Sequence, residues 1–285
     1  MSAPAVHRHA AGPDRAAVQE RLRARHRRAR TARTAAVWGV RLGVVAAFVL
    51  VWYLAGALEW MSPVFISDPA SVAGSLAGLV VDGGIWADGW ATLSAALTGL
   101  AIGAATGVAS GLLLGEFALF RRAVQPIVTL ANALPRPALA PIFLVWFGLG
   151  AGAKIAVSVS VVYFLLLINT LAGVDGVDAD RATLARTLGM SRLQRFRLLQ
   201  LPSAGPAILA GLRLGSVYSV LGVVVAEMVA STEGLGLRLV QATNQFDIAG
   251  SFAILFLLAL LAFVLDWTVG RLERRLSWGT SPATL

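Results

Sequence analysis

Apolar residues run along this chain in long blocks, without the two-residue alternation of half-buried strands. Six blocks, at about 36–58, 91–115, 124–148, 154–174, 204–230 and 251–270, each meet the roughly 20 apolar residues that a bilayer-spanning helix requires. Polar and charged positions gather in the intervals between them. An open sheet is excluded in hydrocarbon because its edge groups would go unsatisfied, and the blocks are too long and too evenly apolar for barrel strands. The pattern predicts an all-α integral membrane protein with six transmembrane helices.

Composition agrees. The chain has 285 residues, 57% hydrophobic and 14% charged, with mean hydropathy +0.75; a soluble domain carries about 25% charged residues. There is no Cys, which excludes disulfides and thiolate metal sites, and all three His lie in the first 26 residues. No metal or other cofactor is expected. A net charge of +9 would suggest nucleic acid for a soluble protein. In a chain this apolar it reflects arginines on the cytoplasmic side, and no nucleic-acid partner is expected.

The placement of those charges orients the spans. With both termini inside, the cytoplasmic segments 1–35, 116–123, 175–203 and 271–285 hold 19 of the 24 basic residues. The outer side holds two, Lys154 and Arg238, and Arg41, Arg136 and Arg213 fall inside apolar blocks. Such a bias supports six spans with both termini cytoplasmic. Residues 1–35 form an Arg/Ala-rich tail with no hydrophobic face long enough for a core, expected to be disordered and drawn to anionic lipid heads. Residues 36–285 are read as the transmembrane domain.

Between the fourth and fifth blocks lies 181-RATLARTLGMSRLQRFRLLQLP-202, with five arginines and no acid. Asp178 or Asp180 can cap a helix that Gly189 is placed to end, since Gly tolerates the left-handed conformation of a helix C-cap. Ser191-Arg192-Leu193-Gln194 reads as a capping box opening a second short helix, and Pro202 stops that helix or begins the next span. By composition this is either an interfacial amphipathic connector or a docking element for a cytoplasmic partner.

The spacing of the segment carries a resemblance. Ala185, three residues, Gly189, nine residues, then Leu199-x-Leu201-Pro202 is similar to the EAA loop of ABC importer permeases, with Thr183 and Leu184 in place of its Glu and first Ala. The runs 134-LPRPALAPIFLVWFGLGAGAKI-155, 205-GPAILAGLRLG-215, 226-AEMVASTEGLG-236 and 265-LDWTVGRLERRLSWG-279 resemble, in the same order, the nitrate/taurine/aliphatic-sulfonate branch of those permeases. The resemblance implies a type I ABC importer permease fold in the bacterial inner membrane. It also implies a homodimer, two ATPase subunits and an extracytoplasmic binding protein that delivers a small solute, such as a sulfonate, taurine or nitrate. The cytoplasmic segment 178–202 would then be the ATPase-coupling element, with Ala185, Leu188, Gly189, Met190, Arg192, Leu193 and Phe196 as its coupling residues. An ion-gradient-driven secondary transporter or channel is the alternative, and a membrane scaffold a third reading; no clear internal repeat is visible.

Other residues bear on mechanism. Gly99, Gly103, Gly107, Gly111 and Gly115 follow a four-residue period, a ridge of bare backbone on which another helix can pack closely. Pro135, Pro137 and Pro141 interrupt the third block, and freed carbonyls at depth are tolerated only against protein or water. Arg136, between two of those prolines, either snorkels or pairs with an acid, or offers an electropositive contact to an anion. Glu227 could pair with Arg136 or line the pathway near an outer gate, a structural or gating role being favoured. Asp266 and Arg41 are expected to send their charged ends to the interface, and Arg213 to pack near the cytoplasmic mouth. The segment Gly148–Lys154 is glycine-rich but lacks the Gly-Lys-Ser/Thr of a phosphate loop, because Ala153 precedes Lys154 and Ile155 follows it. The chain is therefore read as having no ATP site of its own.

Overall fold

The computed structural model describes residues 15–58 and 67–276, and side chains over 36–58 and 67–275. Two compact units emerge, Met1–Pro69 and Ala70–Leu285. In the first, α1 runs Arg15–Ala57, and its apolar part, Ala36–Ala57, is long enough to span a membrane. Trp52 Nε1 donates to the Ser67 carbonyl at 2.6 Å. The helix begins inside the basic segment expected to be disordered. Ala and Arg are strong helix formers, and a span once formed propagates one hydrogen bond per added residue. Residues 1–14 lie outside the described residues.

The second unit begins with a short apolar helix, α2 (Pro69–Val81). A turn through Gly83, at φ 75, leads into α3 (Gly84–Glu116), which starts earlier than the apolar block at 91–115 implies. The third block is not one straight span. It folds as α4 (Ala118–Ala133), a 3-10 turn at Arg136–Leu139 and α5 (Ala140–Phe147), with an 85° bend between the two arms. The prolines cause the break. Leu134, preceding Pro135, is driven to an extended ψ of 133, whereas Pro141 sits in the first turn of α5, where a missing N–H costs nothing.

Then follow α6 (Ala151–Asp175), α7 (Ala179–Thr187), α8 (Arg192–Arg195), a π-helical turn at Phe196–Gln200 and α9 (Leu201–Val229). Pro202 does not stop the helix, contrary to one expectation from sequence. It lies in the first turn of α9, and Arg192–Val229 is one helical rod of 38 residues. The unit closes with α10 (Leu235–Asn244) and α11 (Ile248–Leu276). Five described helices are long and apolar enough to cross a membrane, or six if the bent pair is one span.

Helix α6 is the centre of the bundle, held between α3 and α9. The glycine ridge of α3 meets Ser158, Val162, Leu166, Thr170 and Val174 of α6 in order, so two four-residue rows interlock at a constant offset and the helices run parallel. Gly211, Gly215 and Gly222 of α9 approach Asn169, Leu166 and Ser158 in antiparallel order, so Leu166 and Ser158 meet both neighbouring helices. Lipid is as apolar as leucine, so close van der Waals packing, not the hydrophobic effect, holds such helices together.

Candidate functional site

Residues 178–202 fold as two short capped helices joined by a tight turn. The Asp178 carboxylate accepts from the Asp180 and Arg181 backbone N–H groups, at 2.9 and 3.1 Å, and caps α7. At the other end Met190 N donates to Ala185 O and Gly189 N to Arg186 O, both at 3.0 Å, the paired bonds of a Schellman turn. Gly189 takes φ 68 there. Ser191 and Gln194 then form the reciprocal capping box of α8. Ala185 is 3% exposed and anchors the segment to its own chain. Leu184, Leu188, Leu193 and Leu198 point outward, Leu188 at 69% exposure. Arg192 is exposed as well, whereas Met190 and Phe196 are half-buried. Behind the segment is a cavity of about 700 Å³ that reaches Phe117 and Phe120 at the α3–α4 corner and Arg186, Arg192 and Arg195 of the segment.

At the far end of α9 lies a buried polar network. Glu227 is 1% exposed and accepts from Thr92 Oγ1 at 3.0 Å and from Gly236 N at 2.9 Å. Lys154 Nζ, also 1% exposed, sits 3.4 Å from Glu227 Oε1 and donates to the Glu233 carbonyl at 2.8 Å. Asp88 accepts from Gly234 N at 2.8 Å and from Arg238 Nε at 2.6 Å. Thr92 Oγ1 also receives Leu235 N at 3.0 Å. The turn before α10 is thereby fixed to α3, α6 and α9 at once. A side chain at Gly234, held at φ 119, would collide with the Glu227 carboxylate.

One sequence expectation is corrected here. Glu227 pairs with Lys154 and not with Arg136. Lys154, counted on the outer side, is buried in the first turn of α6, where a cation opposes the helix dipole and so needs a close acid. Asp88, Thr92 and Glu233 escaped the sequence reading. One signal was available: Lys154 is the sole lysine among the 24 basic residues. Asp266 binds Arg213 through two bonds, Nε–Oδ1 at 2.9 Å and Nη2–Oδ2 at 3.2 Å, joining α9 to α11. Arg41 lies over the Trp38 ring. Arg136 donates to the Asn132 carbonyl at 3.0 Å and to Asn132 Oδ1 at 2.5 Å, and stacks 4.8 Å from the Phe164 ring centroid.

Residues 103–278, more than half of the chain, match the family described as "Binding-protein-dependent transport system inner membrane component". The chain belongs to this family. The permease is 32% identical to the taurine transport system permease protein TauC of Escherichia coli (strain K12), over 83% of this chain and 88% of that protein. It is 34% identical to the riboflavin transport system permease protein RibX of Chloroflexus aurantiacus, over 82% and 88%. The aliphatic sulfonates transport permease protein SsuC of Bacillus subtilis is 29% identical over 86% and 89%, its role there described as putative. Among solved structures, a chain of the inward-facing methionine ABC transporter MetNI superposes with a TM-score of 0.58 at 20% identity, covering 65% of this permease and 93% of that chain. A chain of a bacterial alginate ABC importer gives 0.58 at 16% identity, covering 84% and 96%. These likenesses show the fold, that of a type I ABC importer permease. The protein is a membrane-embedded permease subunit of an ABC importer, and membership of the family implies ATPase and binding-protein partners.

Proposed function

We propose that two copies of this permease form a solute pathway through the bacterial inner membrane, each copy gripped by one ATPase subunit at residues 178–202. The termini and this segment lie in the cytoplasm, and lipid covers the outward apolar faces. ATP hydrolysis resides on the separate subunit, since the one glycine-rich run with a lysine lacks the residues that cradle phosphate. The relatives named for taurine and aliphatic sulfonates suggest a small anionic solute, delivered from outside by a binding protein.

One observation carries the coupling reading: the second half of the segment is continuous with α9 in a single rod, Arg192–Val229, onto which α7 folds through the Gly189 turn. At ~1.5 Å rise per residue the rod spans roughly 57 Å. Four exposed leucines give an ATPase an apolar hold at the near end, and Glu227 sits at the far end inside the network that fixes α10. Closure of the ATPase pair on ATP would tilt the rod and open the pathway outward, and hydrolysis would reset it. Glu227 and the coupling residues Ala185, Leu188, Gly189, Met190, Arg192, Leu193 and Phe196 are assigned on this basis, and Arg136, at the bend of the third block, is assigned to the pathway. Ala185 and Gly189 shape the segment, and the exposed Leu188, Arg192 and Leu193 meet the partner.

Deletion or proline scanning of 183–197 tests this. The expected result is loss of ATPase co-purification and of uptake. Intact co-purification and uptake would refute it, and uptake without any ATPase would favour the ion-gradient alternative.

A further inference from the structure

We infer that Arg136 is the anion contact of the pathway, a refinement that rests on the importer reading above. Four described cations in the bundle have an acid partner: Arg121 with Asp175, Lys154 with Glu227, Arg213 with Asp266 and Arg238 with Asp88. Arg136 has none among the described residues. Its Nη2 is engaged by Asn132, its face by Phe164, and its Nε is buried with no hydrogen-bond partner.

Snorkelling does not account for it. Phe164 stands near the midpoint of α6, whose bounds are Ala151 and Asp175. At ~1.5 Å per residue the ring is roughly 20 Å from one end and 17 Å from the other, and half a hydrocarbon core is about 15 Å. An arginine stacked on that ring is at mid-depth, farther from either interface than its stem can bridge. It also stands at the 85° break, where Pro135 and Pro137 leave backbone that only protein or water can satisfy. A guanidinium at that depth whose Nη1 is neither bonded nor buried among the described residues, beside an irregular and wettable backbone, suits a transient oxyanion. Planar N–H donors match sulfonate or carboxylate oxygens. The ring and the neutral Asn132 hold the guanidinium in place without cancelling its charge.

The test is residue-resolved arginine modification by phenylglyoxal on the full importer in proteoliposomes, read by mass spectrometry, with the other arginines as internal controls. Methanesulfonate is the probe, and dimethyl sulfone is its uncharged counterpart. Methanesulfonate at ten times its dissociation constant is expected to slow labelling of Arg136 about tenfold by occupancy, and dimethyl sulfone to have no effect. Asn132→Asp places a carboxylate where Asn132 Oδ1 already touches Nη2 and is expected to abolish the protection with the fold intact. Equal labelling with and without methanesulfonate overturns the inference, as does protection that survives in N132D. Absence of labelling both without nucleotide and with ATP also overturns it, because a pathway residue meets water in one of those states. None of these outcomes alters the ATPase co-purification by which the importer reading stands or falls.

Discussion

Adding a single methyl group to the α3 ridge gives the sharpest check on the packing argument. In Gly107→Ala the new Cβ would lie 2.5 Å from the Tyr163 carbonyl oxygen, 3.0 Å from Leu166 Cβ and 3.2 Å from Leu167 N. None of these atoms can rotate away, so α3 and α6 must separate by about 0.9 Å to restore ordinary contact, enough to forfeit a quarter to a half of the dispersion well along the ridge. Overpacking of this kind costs about 1–3 kcal/mol. Replacing a helical Gly by Ala returns about 1 kcal/mol, which leaves a net loss of about 2 kcal/mol at the upper end that rigid backbone imposes. Gly89 lies in the same helix with nothing within 4 Å of its Cβ position, so Gly89→Ala keeps the helical gain, about 1 kcal/mol, without the clash. The two variants should therefore differ by about 3 kcal/mol, or roughly 6–12 °C in melting temperature for a unit of this size. Thermal unfolding of the purified complex, followed by tryptophan fluorescence, measures this. If Gly107→Ala melts at or above Gly89→Ala, the interlocked α3–α6 rows do not hold the bundle together.

Lys154→Met strands Glu227 in the interior and should cost about 3–5 kcal/mol, whereas the double variant Lys154→Met/Glu227→Gln should recover part of that loss; the melting temperatures of both decide it. Gly189→Ala forces a Cβ into the left-handed region at about 1–2 kcal/mol, which amide exchange across 185–195 would register as lost protection. Ser191→Ala removes the α8 cap at about 1 kcal/mol, with faster exchange confined to the first turn of the rod and no change in melting of the bundle.

The helical class and the apolar spans are legible in the sequence because hydrocarbon leaves a chain few options. A block such as 154–174 must close its hydrogen bonds within itself, so length and hydropathy suffice to find it. The caps of segment 178–202 are legible for a similar local reason: Asp178, Gly189, Ser191 and Gln194 act on backbone within a few residues of themselves. The glycine period announces a close approach without naming the partner helix. The burial of Lys154 was not legible because local hydropathy places a charge near a block's end in water, while its burial depends on Glu227, 73 residues away in sequence.

The sequence by itself determined which blocks are apolar and long enough to cross lipid, where the arginine-rich segment lies between them, and which residues cap its two short helices. Those features depend on solvation and on bonds made nearby in the chain. Only the tertiary structure decided which charges cancel. Lys154 found Glu227, Arg213 found Asp266 and Arg238 found Asp88, and Arg136 was left with a ring and an amide. Pairing at low dielectric is settled by distances of a few ångströms between helices remote in sequence, which no local pattern encodes.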